Sequence, residues 1–219
     1  MSKSELLKGP FVAFSGGEGS GKSSILERLK KEYPEIVATR EPGGTPWGEA
    51  LRQPLLDHTF NPTVWAELYL FMSIRAQHVA DVIIPNTAAG KVVISDRYMQ
   101  DSYAYQWSAK IGEHWPADLF RMAERAGFPN PDMWLWFDVD PEEGLRRRRQ
   151  TMEINRLDQA DLEFHRRVRE AFEYLLGFDP YVHTGHRIDA NRPIDEVYEQ
   201  VKTLVAPLVE QSKGVVRRA

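Results

Sequence analysis

Three observations predict an α/β fold built on a buried parallel sheet. Short β-rich runs alternate with longer segments of helical period, Gly, Pro or Asp closes most of the runs, and the strings richest in chemistry fall just beyond them. Alternation of this kind builds βαβ units whose strands, covered on both faces, read as nearly unbroken apolar stretches. Ligands of such sheets gather at the carboxyl ends of the strands.

Taken in order, "FVAF" (11–14), "IVATR" (36–40), "KVVISD" (91–96), "MWLWFDV" (133–139) and "HRIDA" (186–190) read as strands. The helix after residue 21 sets Ile25, Leu26 and Leu29 on one face and ends by Pro34. A second helix runs from about Val64 to Ile84, where Pro85 stops it for want of an amide hydrogen. A third begins near Asp101. The run "EEGLRRRRQTMEINRL" (142–157) is so charged and so poor in apolar anchors that it reads as a mobile surface segment. "LEFHRRVREAFEYLL" (162–176) returns to helical spacing through Leu162, Val168, Phe172 and Leu175, and a last helix covers about 194–211. "KGVVRRA" (213–219) reads as a frayed tail.

With 219 residues, 42% of them apolar, the chain suits one compact domain with a mobile insertion. A net charge of −4 argues against a protein whose main task is non-specific binding of nucleic acid. The absence of cysteine excludes disulfides and thiolate-held metals. No apolar run reaches the ~18 residues of a membrane span, and "MSKSELLKGP" has no secretory core. A soluble cytoplasmic protein with no membrane partner is the expectation.

Directly after the first strand, Gly16-x-x-x-x-Gly21-Lys22-Ser23 fits the phosphate-binding P-loop, between a strand and a helix as that motif requires. Glycines let successive N–H groups point into one concavity, and the helix adds its positive end. Lys22 would reach the β- and γ-phosphates, and the Ser23 hydroxyl would ligate Mg²⁺. Neither of the base-reading and switch strings of a GTPase, N-K-x-D and D-x-x-G, occurs. A hydrolytic ATPase commonly carries Glu after its strand-end Asp; here Arg97 follows Asp96. A metal-holding aspartate beside a phosphate-holding arginine suits transfer to a phosphorylated acceptor. A plain surface ion pair at a strand end is the other reading of those two residues.

In the second helix Phe71 and Arg75 share a face, an aromatic plane beside a guanidinium fork that suits a flat heterocycle. By themselves they read better as a core Phe and a surface Arg. In the third, Ser102, Tyr105 and Gln106 stand at i, i+3 and i+4 and can read a base edge. Two such faces downstream of phosphate-binding signals point to a nucleotide pocket.

Together, "FSGGEGSGKSS", "TREPGGTPWGEALR", "ELYLFMSIRAQHV", "VVISDRYMQDSYAYQ" and "NRLDQADLEFHRRVREAF" resemble thymidylate kinase along nearly the whole chain. The resemblance implies a P-loop nucleoside monophosphate kinase fold, a five-stranded parallel sheet flanked by helices, as a homodimer. It implies transfer of phosphate from ATP to dTMP with Mg²⁺ held through Ser23 and Asp96. It assigns ATP to Gly16, Gly17, Glu18, Gly19, Ser20, Gly21, Lys22, Ser23 and Ser24. By the same likeness Glu18 approaches the acceptor's 3′-hydroxyl, and Arg52 and Arg97 clamp its phosphate beside a cis Glu41–Pro42 bond. Phe71 stacks on thymine, Arg75 bonds its O4 edge, Ser102 and Gln106 read the base, and Tyr105 lies under C2′ of the deoxyribose. Residues 143–157, with the arginine run 146–149 and Arg156, resemble the lid of the bacterial subclass, with Arg147 and Arg149 as candidate catalytic charges. On composition alone that run favours a solvated helix face, with a nucleic-acid patch as another reading. Asp101 stands where the family usually has Ser, and Met72 and Ile74 stand where it has small residues. A kinase for dUMP or a 5-substituted pyrimidine nucleotide, and a regulatory protein that binds nucleotide without turnover, are the alternatives.

Overall fold

The fold was obtained as a computed structural model, which describes residues 9–57, 59–112, 116–150, 160–178 and 184–216. Five strands, β1 (Phe11–Gly16), β2 (Val37–Arg40), β3 (Val93–Asp96), β4 (Met133–Asp138) and β5 (Gly185–Asp189), form one parallel sheet in the order β2-β3-β1-β4-β5. The chain leaves β1 for the edge strand β2 and later crosses to β4 on β1's other side. The carboxyl end of β1, between β3 and β4, is therefore the crevice where the strand order reverses.

Alternate residues of each central strand face opposite layers. Phe11 and Ala13 of β1, with Trp134 and Trp136 of β4, enter one core, while Val12, Phe14, Leu135 and Phe137 enter the other. The second core is closed by α1 (Lys22–Glu32) and α9 (Ile194–Val216) through Ile25, Leu29, Val197 and Val201. The first is closed by α3 (Val64–His78), α6 (Ala117–Arg125) and α8 (Leu162–Leu176) through Leu68, Leu119, Phe120, Val168 and Phe172. Burial on both faces explains why these strands read as apolar runs.

Local signals set the helix ends. Thr45 accepts from the Gly48 N–H at 2.9 Å to start α2 (Pro46–Leu56), and Asp161 accepts from the Phe164 N–H at 2.7 Å to start α8. Three expectations need correction. Pro85 does not stop the second helix: α3 widens into a π-helical turn, Val79–Ile83, and continues as α4 (Ile84–Ala88) with Pro85 in its first turn, where no amide hydrogen is needed. Asn86 Nδ2 and Thr87 Oγ1 donate to the carbonyls of Val82 and Ile83, each at 2.8 Å. The third helix begins earlier, with α5 (Met99–Ser102), and then runs as a π-helical segment, Tyr103–Ile111. The last helix extends through Val216, and Lys213 bonds Glu210 at 2.7 Å and Glu35 at 3.1 Å, so the described part of the tail is not frayed. Of the charged run, residues 141–149 form α7 (Pro141–Arg149), anchored by the buried Leu145; 151–157, with Arg156, lie outside the described residues.

Phe172, fully buried, packs its ring against Trp134, Trp136 and Tyr105 at centroid distances of 6.2–6.4 Å. It ties α8 to the sheet and to the helix that carries the cleft residues. Phe172→Ala is expected to lower stability by about 3–5 kcal/mol, read as a shifted urea midpoint at unchanged slope; a loss under about 1 kcal/mol would mean that the site collapses around the smaller side chain.

Candidate active site

The loop from Gly17 to Gly21 curls at the end of β1, with Gly19 and Gly21 at positive φ, and delivers the chain into α1. Lys22 folds back over it, donating to Gly16 O at 2.9 Å, Gly17 O at 3.0 Å and Ser20 Oγ at 2.8 Å. Burial and the neighbouring Arg97 pull the Lys22 pKa down, against Asp96, Glu18 and Asp101. Beside it, Ser23 Oγ donates to Asp96 Oδ2 at 2.5 Å, while Asp96 Oδ1 is buried without a hydrogen-bond partner. A hydroxyl and an orphaned carboxylate oxygen next to a phosphate cradle fit Mg²⁺, which takes one or two protein oxygens and fills its octahedron with water and phosphate.

Arg97 occupies the centre. Its φ of 74° lies in the left-handed region, a conformation that costs a non-glycine residue about 1–3 kcal/mol and is found where surrounding contacts dictate it. Its amide donates to Phe14 O at 2.8 Å, and Ser95 Oγ donates to its carbonyl at 2.8 Å. The guanidinium reaches Glu18 Oε1 at 2.6 Å, Asp101 Oδ1 at 2.6 Å and Gly16 O at 3.2 Å, and lies 5.0 Å over the Tyr105 ring. Burial opposes its charge, yet Tyr105, Glu18 and Asp101 raise its pKa well above the ordinary value. Burial alone would likewise raise Glu18; Arg97 and Lys22, with the Tyr105 hydroxyl at 3.1 Å, hold it down to about 2. Asp101 is pushed up by burial against Arg97 and Lys22, and accepts from Ser15 Oγ at 2.7 Å.

A second buried network lies beyond the end of β2. The Glu41–Pro42 peptide is cis, and Arg52 Nη1 donates to Pro42 O at 2.5 Å. Glu41 accepts from Arg75 Nε at 2.7 Å and pairs with His78 Nδ1 at 2.8 Å, while Thr39 Oγ1 meets His78 Nε2 at 2.7 Å. Arg75 Nη1 donates to Ser102 Oγ at 3.0 Å. Arg75 therefore faces inward, fully buried, rather than out to solvent.

Between the two networks opens a cleft of about 460 Å³. Glu18, Gly19, Ser20, Gly21, Lys22, Ser23 and Ser24 line one end, with Asp96 and Arg97 beside them. Arg52, Phe71, Arg75, Ser102, Tyr105 and Gln106 line the other. Seven cations line it against four carboxylates, so a chain of net charge −4 concentrates a positive field in this one place. Of the described residues given a catalytic, nucleotide-binding or metal role from the sequence, Gly16, Gly17 and Arg149 are not on the lining.

Over the phosphate loop sits α7. A Cβ on Gly19 would lie 2.0 Å from Gly144 O, and one on Gly144 would lie 2.3 Å from Glu18 O, so the helix and the loop meet backbone to backbone. Arg147 and Arg148, three and four residues beyond Gly144, share that face and line the cleft. Arg147 is engaged by Glu143 Oε1 at 2.7 Å and by the carbonyls of Ala190 at 2.8 Å and Asn191 at 3.3 Å. The charge of Arg148 contributes to lowering the Glu18 pKa.

The thymidylate kinase family model matches residues 14–201. The chain belongs to the thymidylate kinase family. It is 38% identical over 206 residues to a thymidylate kinase of Clostridium novyi, covering 89% of this chain and 97% of that one. It is also 38% identical over 219 residues to one of Pseudomonas fluorescens, covering 95% and 100%. A crystal structure of thymidylate kinase from Ehrlichia chaffeensis aligns with a TM-score of 0.70 at 27% identity, covering 90% of this chain and 98% of that one.

Within this family member the departure at Asp101 has a clear place: the carboxylate bonds Arg97, Ser15 and the Tyr98 N–H, at 3.2 Å for the last. Met72 and Ile74 flank Arg75, the first with its sulfur 3.5 Å from Nη1 and the second in a small cluster with Leu55 and Phe71. Sequence reading did not single out Arg148. Gly144 was the available signal, being the glycine inside "EEGLRRRR", three and four residues before the two arginines that face the loop.

Because the Glu18 carboxyl is held at about 2 against an ordinary 4.5, its contribution to stability is complete above the ordinary value and disappears as pH falls toward 2. The stability gap between wild type and Glu18→Gln should accordingly narrow on acidification from about pH 5 toward pH 2, as read by urea unfolding at each pH. A gap that is constant or widens with acid would show that the Arg97 contact does not perturb Glu18.

Proposed function

We propose that the protein transfers the γ-phosphate of ATP to dTMP, giving ADP and dTDP. One observation carries the reading: a single cleft joins a P-loop to a buried aromatic and guanidinium wall, with Arg97, Glu18 and Tyr105 between them. The donor phosphates lie in the cradle of Gly16–Ser24 under Lys22. The acceptor phosphate meets Arg97 and Arg52, the sugar's 3′-hydroxyl donates to ionised Glu18, and the ring of Tyr105 underlies C2′. Phe71 stacks on thymine, and Arg75, Ser102 and Gln106 meet its polar edge.

The acceptor oxygen is already anionic, so attack on the γ-phosphorus needs no strong base. Placement in line and compensation of charge on the transferring group are what the chain supplies. Lys22, Arg97 and the arginines of α7 provide that charge from fixed positions. Mg²⁺, held through Ser23 and Asp96, would neutralise charge between the donor phosphates. The segment 143–157 acts as the lid, with Arg147, Arg149 and, on geometry, Arg148 as its cationic groups. A homodimer and a cytoplasmic location belong to the same reading. The exposed Trp65 and Tyr69 on α3 support the dimer, and among the described residues no helix is long and apolar enough to cross a membrane.

A panel of nucleoside monophosphates with ATP and Mg²⁺ tests the reading: dTMP should react well, dUMP less, and dCMP and dGMP poorly. Lys22→Ala should lower kcat by about 100-fold or more in a folded protein. Efficient turnover of dGMP, or full turnover by Lys22→Ala, would refute it. Among single Ala replacements in α7, Arg148 should show the largest fall in kcat, Arg147 a smaller one and Arg149 the least. Equal kcat values for wild type and all three variants would reduce the run to a solvated face.

A further inference from the structure

Behind the base-facing end of the cleft lies a carboxylate that the reaction does not use. Glu67, 1% exposed, stands on α3 one turn before Phe71 and two turns before Arg75, on their face of the helix. Its Oε1 receives Lys110 Nζ at 2.5 Å and Gln106 Nε2 at 2.8 Å. An ammonium has donors and no lone pair, so the oxygen that meets Lys110 is an acceptor, and Gln106 must turn its NH₂ toward it. The carbonyl oxygen of the same amide is then left for the cleft, which Gln106 lines.

Arg75 completes the pattern. Its Nε is taken by Glu41 and its Nη1 by Ser102 and Met99, so the remaining nitrogen, Nη2, is a donor available to a ligand. The wall thus presents a donor and an acceptor. Thymine and uracil offer O4 as acceptor and N3–H as donor, the complement of that pair. Cytosine offers the reverse, an N4 donor and an N3 acceptor.

We propose that Glu67 is the positioning residue for base choice: by fixing the direction of the Gln106 amide it makes the site accept a pyrimidine with O4 and N3–H and reject cytosine. Lys110 acts at one remove, keeping Glu67 Oε1 an acceptor. Glu67 touches no substrate. The inference rests on the functional reading above.

The Glu67→Gln protein also carries Lys110→Met, so that no ammonium selects the amide oxygen; its side chain can then present either an oxygen or an NH₂ to Gln106, and that amide can turn over and meet cytosine. The ratio of kcat/KM for dTMP to that for dCMP should fall by about tenfold or more, chiefly through KM, with KM for ATP unchanged. A merely structural tie between α3 and the Gln106 segment would lower both substrates together and leave the ratio alone. Glu67→Asp, which keeps an acceptor, should retain more of the ratio than Glu67→Gln. In a Gln106→Ala background Glu67→Gln should change the ratio no further. Should Glu67→Gln not fold, the Gln106 side-chain amide is read by NMR in the wild-type protein. Slow proton exchange and little shift on adding dTMP are expected; solvent-rate exchange, or a large shift showing that the NH₂ meets the ligand, would overturn the proposal. Failure of the wild type to phosphorylate dTMP would count against the functional reading itself. A wild type that prefers dTMP, with the same ratio in Glu67→Gln, would count against Glu67 alone.

Discussion

Glu18 and Asp101 hold one guanidinium between them, and the position of Arg97 organises the molecule around it. The contact joins the phosphate loop after β1 to the turn from β3 into α5, which lies 79 residues further along the chain. Each ion is partly or wholly removed from water, a loss that their attraction offsets only when geometry is close and remaining hydrogen-bonding atoms are satisfied. Here both distances are 2.6 Å, the second oxygen of Asp101 bonds Ser15, and Tyr105 covers the guanidinium. The strained backbone at Arg97 is the local cost of aiming that side chain back across β1, and the bonds of its amide and carbonyl to Phe14 and Ser95 retain it.

The Glu41 network repeats this logic at the other end of the cleft. Buried Arg75 has a carboxylate, a hydroxyl and sulfur atoms about it, and buried His78 closes the far side of Glu41. Removing one member of such a pair leaves an uncompensated buried charge, which costs about 3–5 kcal/mol. The two networks meet where Ser102 ends α5 and Tyr105 lies in the first turn of the π-helical segment that continues it. Both ends of the cleft therefore depend on the packing of that segment against α8, to which Phe172 and Phe164 contribute.

The strands, the phosphate loop and the strand-end pair Asp96–Arg97 were legible because each depends on local pattern: apolar runs, glycine at defined spacing, polar residues at strand ends. Harder to see was α2, which contains Gly48 and Pro54, poor helix formers whose place is secured by the Thr45 cap and by packing. The two π-helical segments were invisible, since a search at a period of 3.6 passes over an extra residue per turn and treats Pro85 as a stop. The faces that hold Phe71, Arg75, Ser102, Tyr105 and Gln106 could be read from spacing, but not which of their atoms were already committed. That depended on Glu41 and Glu67, contributed from 34 and 39 positions away along the chain.

The backbone contact between Gly19 and Gly144 also limits how this chain can change. A side chain at 19 and α7 in its present seat cannot coexist, since even a methyl group would fall on the Gly144 carbonyl. Any residue that brought charge or bulk into the loop would displace α7, and with it the two arginines on its inner face. Positive charge at 19 and positive charge from α7 are thus competitors for one volume, and a lineage that moved from one to the other would have to alter both sites rather than accumulate the two.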